Sequence, residues 1–125
     1  MTTNTGSARY EGLGKDGKGH VSTGSGALAD QPYGFNTRFE GAKGTNPEEL
    51  IGAAHASCFT MALSFALARA GHVDGKIETT ATITLEKEGD GFTVTRSDLV
   101  TSARVPGIEE DDFQAIAADA KANCP

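Results

Sequence analysis

The chain reads as an α+β domain in which a strand meander precedes a long helix, a β-hairpin and a second helix. Three observations carry this reading. Short β-compatible segments separated by glycine-rich turns fill the chain up to Thr45. A capped, almost uncharged stretch then runs from Asn46 to Gly71. Alternating segments between Ile77 and Val105 are followed by a stretch with an acidic start and helical apolar spacing. The length of 125 residues suits one domain, so 1–125 is read as a single unit.

In the meander, Ala8-Arg9-Tyr10 and His20-Val21-Ser22-Thr23 are the first two expected strands. Tyr33 to Phe39 is the third, with Tyr33, Phe35, Thr37 and Phe39 on one face and Asn36 and Arg38 on the other. Gly12-Leu13-Gly14-Lys15-Asp16-Gly17 matches the G-x-G-x-x-G string of dinucleotide sites, and Gly12 to Lys18 approaches a P-loop. Gly19 stands where a P-loop needs Ser or Thr, and the next segment reads as strand where both motifs need helix. A hairpin turn accounts for these glycines.

The long helix is expected to start with Asn46 as N-cap and Pro47 at the first helical position. Glu48 and Glu49 occupy the first turn, where the helix dipole favours negative charge, and Gly71 is the expected stop. From Leu50 to Ala70 only Arg69 carries a permanent charge. The apolar residues Leu50, Ile51, Phe59, Met61, Leu63, Phe65 and Leu67 keep to no narrow stripe. Such a helix is buried on most sides. One thin sheet covers only one of them, so the other is expected to meet a second copy of the chain.

Ile77, Thr79, Ala81, Ile83 and Leu85 alternate as one strand of a hairpin, and Glu88-Gly89-Asp90-Gly91 forms its turn. On the return strand, Phe92, Val94 and Arg96 are out of phase with Leu99, Thr101, Ala103 and Val105. A bulge is therefore expected near Ser97-Asp98. The second helix runs from about Glu109 to Asn123, with Phe113, Ile116, Ala117 and Ala120 as its apolar stripe. Cys124-Pro125 follows it.

A net charge of −6 disfavours a phosphate-backbone binder, so no nucleic-acid partner is expected. No unbroken run of about 18 apolar residues occurs, so no membrane span is expected either. The N-terminus lacks the basic start and apolar stretch of a signal peptide, and two cysteines are too few for a secreted disulfide framework. Cytoplasmic location follows as the expectation.

Cys58 lies mid-helix in an apolar stretch. It reads as a buried small hydrophobe or as a reactive thiol, and its surroundings alone leave both open. Cys124, at a helix end, allows a redox pair, which in a reducing compartment is favoured over a structural staple. His55 with Cys58 supplies two metal ligands, too few for a zinc site. Glu49, at the third helical position, is explained by a near capping box, whereas Glu48 is not. Arg38 reads equally as a surface cation.

Two segments carry a resemblance: Tyr33-Gly34-Phe35-Asn36-Thr37-Arg38-Phe39-Glu40-Gly41, and the run from Gly44-Thr45-Asn46-Pro47-Glu48-Glu49 through His55-Ala56-Ser57-Cys58-Phe59. They resemble the OsmC/Ohr family, and most closely its osmotically inducible OsmC branch. The order of elements and the closing Asn-Cys-Pro agree. The resemblance implies an OsmC-like intertwined homodimer with two long helices at its centre. It also implies a thiol-dependent peroxidase that reduces organic hydroperoxides, and hydrogen peroxide less favourably, in oxidative and osmotic stress defence. By the same resemblance Cys58 is the peroxide-attacking cysteine and Cys124 the resolving one. Arg38 holds the thiolate, and Glu48 orients Arg38. Members usually continue past Asn-Cys-Pro with more helix and a last strand, which this chain is expected to lack.

The expected chemistry follows from these roles. A thiolate cleaves the O–O bond, and a guanidinium beside a sulfur favours the ionised form. The resulting sulfenic acid condenses with Cys124, and an external dithiol, of lipoyl type by resemblance, resets the pair. No metal, haem, flavin or other cofactor is required. Glu48 lies ten residues before Cys58 on one helix, about 15 Å along the axis at ~1.5 Å per residue. A site using both therefore draws Cys58 from one chain and Glu48 from another. Two rival readings are a redox sensor switched by Cys58 and Cys124, and a non-catalytic dimeric module with inert thiols.

Overall fold

A computed structural model describes residues 1–125. The fold is α+β. Strands β1 (Gly6–Glu11), β2 (Lys18–Thr23) and β3 (Gln31–Tyr33) form an antiparallel sheet in that order. They are followed by a short helix α1 (Phe35–Phe39) and the long helix α2 (Pro47–Arg69). Strands β4 (Lys76–Glu88) and β5 (Gly91–Arg104) make a two-stranded hairpin, and α3 (Glu110–Asn123) closes the chain. Residues 1–50 and 51–125 form two compact units, with the first turn of α2 in the former.

In the first unit, the glycine-rich segment after β1 is a turn containing one turn of 3-10 helix, Gly14–Asp16, and it leads directly into β2. Gly17 and Gly19 have no side chain for a physical reason: a Cβ on Gly17 would strike the ring of Tyr10, and one on Gly19 the ring of Tyr33. The two rings meet edge to face with centroids 6.2 Å apart.

The third expected strand is corrected. It ends at Tyr33, and Phe35 to Phe39 is helix. The cause is Thr37, whose Oγ1 accepts the Gly34 N–H at 2.8 Å and donates to the Gly34 carbonyl at 3.0 Å. That exchange turns the chain. Phe35 and Phe39 share a face at a spacing of two in a strand and also at i, i+4 in a helix, so their pattern cannot separate the two. As a helix it sets their rings 5.0 Å apart.

In the second unit, one side of α2 supplies Phe59, Leu63 and Leu67 to a core completed by Ala120 of α3. Ile77, Leu99, Val105, Phe113 and Ile116 pack around them. Gly52 allows close approach, since a Cβ there would sit 3.2 Å from the Ala81 carbonyl oxygen. Thr60 bonds Thr79 at 2.8 Å, and Thr79 lies 3.2 Å from Thr101, so a row of hydroxyls ties α2 to both strands. The other side of α2 is open: Ile51, Met61 and Phe65 are 46%, 61% and 61% exposed. By length and composition α2 could cross a membrane, a property that its interrupted apolar run hid, but core helices meet the same criterion.

The hairpin bulge is also corrected. Thr84 pairs with Arg96 and Leu85 with Val94, so the extra residue is Thr95 rather than Ser97 or Asp98. Arg96 belongs after the bulge, on the same face as Asp98, whose carboxylate it binds at 2.7 Å. A charged residue carries no hydrophobic phase, which is why the pattern misplaced it.

Leu63 is fully buried. Leu63→Ala is expected to lower unfolding stability by about 3 kcal/mol through lost transfer energy and a residual cavity. Urea unfolding at unchanged slope measures this.

Candidate active site

The structure gathers the four candidate residues into two pairs, one in each unit. In the first unit, Arg38 on α1 binds Glu48 in the first turn of α2. Its Nε lies 2.9 and 3.2 Å from the two carboxylate oxygens, and one Nη lies 2.5 Å from Oε1. Two nitrogens of the planar fork are thus spent on one carboxylate, which fixes the plane of the guanidinium. Glu48 is the more buried partner, with 13% of its side chain exposed against 36% for Arg38. The Nη1 group of Arg38 makes no hydrogen bond within the chain.

Local structure explains why Glu48, and not its neighbour, is available. Asn46 Oδ1 accepts the Glu49 N–H at 2.8 Å, the capping bond expected from the sequence. The Glu49 carboxylate accepts from the Thr45 hydroxyl at 2.7 Å instead of reaching back to the N-cap backbone. Glu49 is therefore occupied in starting the helix. Five residues cannot sustain a helix by themselves, so α1 depends on its ties. Thr37 holds its start and is the only buried polar residue. Asn46 also reaches the Thr37 carbonyl, at 3.4 Å. Sequence reasoning missed Thr37 because it was read as a strand residue.

Arg38 lines a cleft of about 300 Å³ with Tyr10, Tyr33, Phe35, Phe39 and Lys15 among its walls. The Lys15 ammonium stands 5.0 Å from the centre of the Phe35 ring, and the Arg38 guanidinium 5.5 Å from that of Phe39.

In the second unit, Cys58 and Cys124 are free thiols with their sulfurs 2.6 Å apart. Cys58 lies one residue before the buried Phe59 on α2, and Cys124 directly follows α3. Both are half-buried. Cys124 donates to Cys58. That hydrogen bond, then burial, then the charge of Cys58 hold the Cys124 thiol above its ordinary range. Beside Cys58 lies a mainly apolar cleft of about 330 Å³ lined by Met61, Phe65 and Ala66 of α2 and by Asp119 and Asn123 of α3.

His55 Nδ1 lies 2.6 Å from Ser97 Oγ on β5, a partner that accounts for its position on α2. No three His, Cys, Asp or Glu side chains gather as a metal site.

The raised titration of Cys124 has a measurable consequence. Its alkylation by iodoacetamide should be slower than that of an exposed peptide thiol at the same pH, since thiolate is the reactive form. Cys58→Ala removes the largest cause of the shift and should move the Cys124 alkylation profile to lower pH. Peptide mass spectrometry across a pH series reads both.

Comparison with known proteins gives the family. A family model described as OsmC-like protein matches residues 40–125. The chain is 58% identical over 120 residues to the peroxiredoxin OsmC of Escherichia coli K12, covering 96% of this chain and 84% of that protein. The crystal structure of the organic hydroperoxide resistance protein OhrB of Bacillus subtilis superposes with a TM-score of 0.68 at 25% identity, covering 99% of this chain and 87% of that one. An organic hydroperoxide resistance protein from Elizabethkingia anophelis, crystallised with thiocyanate bound, shares the fold with a TM-score of 0.75 at 24% identity, covering 100% and 85%. With its strand meander, long capped helix and two cysteines arranged as described, the chain belongs to the OsmC family.

Proposed function

We propose that this protein is a thiol-dependent peroxidase that reduces organic hydroperoxides, and hydrogen peroxide less favourably. The observation that carries the reading is the 2.6 Å separation of two free thiols drawn from opposite ends of the second unit's sequence. An inert thiol needs no such partner. The names of the relatives, peroxiredoxin OsmC and organic hydroperoxide resistance protein, support the same activity.

In this mechanism the Cys58 thiolate attacks the outer oxygen of the hydroperoxide. An S–O bond forms, the O–O bond breaks, and the sulfur loses two electrons to become sulfenic acid. The departing alkoxide takes up a proton and leaves as the alcohol. Arg38 stabilises the thiolate before attack and the developing negative charge on the leaving oxygen during it. Glu48 acts through Arg38 and is a positioning residue. Cys124 then gives its sulfur to Cys58: an S–S bond forms, and the sulfenic oxygen departs as water with the thiol proton. An external dithiol, such as a lipoyl group, reduces the disulfide by two exchange steps and becomes a disulfide itself.

The site is shared between two copies of the chain. Glu48 and Cys58 stand about 15 Å apart along α2. The Arg38–Glu48 pair of one chain therefore serves Cys58 of its partner. Exposed Met61 and Phe65 on α2 give that partner an apolar face to cover. The pairing makes a two-fold homodimer with two sites, working in the reducing cytoplasm.

Three measurements test the reading. In a folded Cys58→Ser protein, turnover of cumene hydroperoxide with a dithiol reductant should be abolished; near-normal activity would refute the mechanism. One equivalent of peroxide should yield a chain about 2 mass units lighter through an intramolecular Cys58–Cys124 disulfide, and Cys124→Ser should stop at sulfenic acid and over-oxidise. Mixed dimers of Cys58→Ser and Glu48→Ala subunits, each inactive alone, should regain one working site per dimer. Failed complementation in verified heterodimers would remove the shared site, whereas the catalytic cysteine is judged by the first experiment alone.

A further inference from the structure

The cleft beside Arg38 has a charge that the mechanism above does not use. Its walls are aromatic, from Tyr10, Tyr33, Phe35 and Phe39, yet it holds two cations in a chain of net charge −6. Arg38 is neutralised by Glu48. Lys15 is not: the chain's ion pairs engage Arg9, Arg38, Lys76 and Arg96 only. Its ammonium instead rests over the Phe35 ring at the edge of the cleft. An exposed cation–π contact is worth only about 0.5–1 kcal/mol, so the ammonium remains available to a carboxylate in the cleft. Its turn is constrained as well. Tyr10 donates to the Gly14 carbonyl at 2.8 Å, and Gly17 closes the turn by bonding the same carbonyl at 3.2 Å.

We propose that Lys15 is a specificity-determining residue that favours hydroperoxides bearing a carboxylate on an apolar or aromatic body over neutral ones of the same bulk. The inference rests on the peroxidase reading and on Arg38 facing the reacting oxygens. The aromatic walls take the apolar body, Arg38 takes the peroxide end, and Lys15 takes the carboxylate at the rim. The carboxylate has no part in the chemistry, so the discrimination belongs in KM more than in kcat. As an exposed charge pair it is modest in size and weakens with salt.

A matched pair of substrates tests this: cumene hydroperoxide carrying a para-carboxylate, and its methyl ester. The readout is the acid-to-ester ratio of kcat/KM for the full chain and for Lys15→Arg, Lys15→Met and Lys15→Glu. The ratio should fall about 3- to 5-fold in Lys15→Met, fall further in Lys15→Glu and be largely kept in Lys15→Arg. The difference between the parent protein and Lys15→Met should shrink when salt is raised from about 0.05 to 0.5 M. An unchanged ratio in Lys15→Met and Lys15→Glu, with the ester still turned over, overturns the role of Lys15 and leaves the peroxidase intact. Turnover of neither substrate by the parent protein overturns the peroxidase reading and this inference together.

Discussion

The packing of one row of α2 into the core determines where the two cysteine sulfurs lie. Phe59, Leu63 and Leu67 recur at every fourth position and are the most deeply buried large side chains of the chain. They meet a matching row on α3 that includes Ala120 and continues, four residues on, to Cys124. Side chains three or four apart on a helix share a face, so a row that buries Ala120 carries Cys124 with it. Cys58 stands next to Phe59 at the start of the opposing row. The packing of these rows leaves the two sulfurs 2.6 Å apart. The hydroxyl line from Thr60 through Thr79 to Thr101 and the close approach at Gly52 limit sliding of α2 along the hairpin.

A second constraint works on a smaller scale around Arg38. A guanidinium on a long side chain has many rotamers, and only fixed partners confine it to one. Here two of its nitrogens are committed to Glu48, itself mostly buried in a helix first turn where negative charge is favoured. The helix that bears Arg38 is a single turn and owes its shape to the Thr37 exchange with Gly34. The adjacent capping arrangement occupies Glu49 with Thr45 and Asn46, which leaves Glu48 as the carboxylate for Arg38. Two neighbouring glutamates thus perform different tasks for reasons of local geometry.

The two cysteine sulfurs come into contact from different elements, Cys58 from the middle of α2 and Cys124 from the residue after α3. The surface beside Cys58, formed in part by Met61 and Phe65, is mainly apolar and open to solvent.

Much of this was legible in the sequence because it is local. The capped start of α2, the alternation of β4, the acidic start and apolar stripe of α3, and the turn between β1 and β2 each depend on neighbours a few residues away. The roles proposed for Cys58, Cys124, Arg38 and Glu48 come from the family resemblance, since composition and spacing alone left them open. The misreadings fell where a local pattern is degenerate. Phe35 and Phe39 suit a strand or a helical turn equally, and only the Thr37 hydroxyl decided between them. Charged Arg96 could not report the phase of β5, so the bulge at Thr95 was displaced. What tertiary structure alone decided was how distant groups meet: the contact of the Cys58 and Cys124 sulfurs, the two nitrogens that Arg38 commits to Glu48, and Lys15 above Phe35. Those meetings depend on helix rows packing and side chains reaching across loops, and one-dimensional spacing carries no record of either.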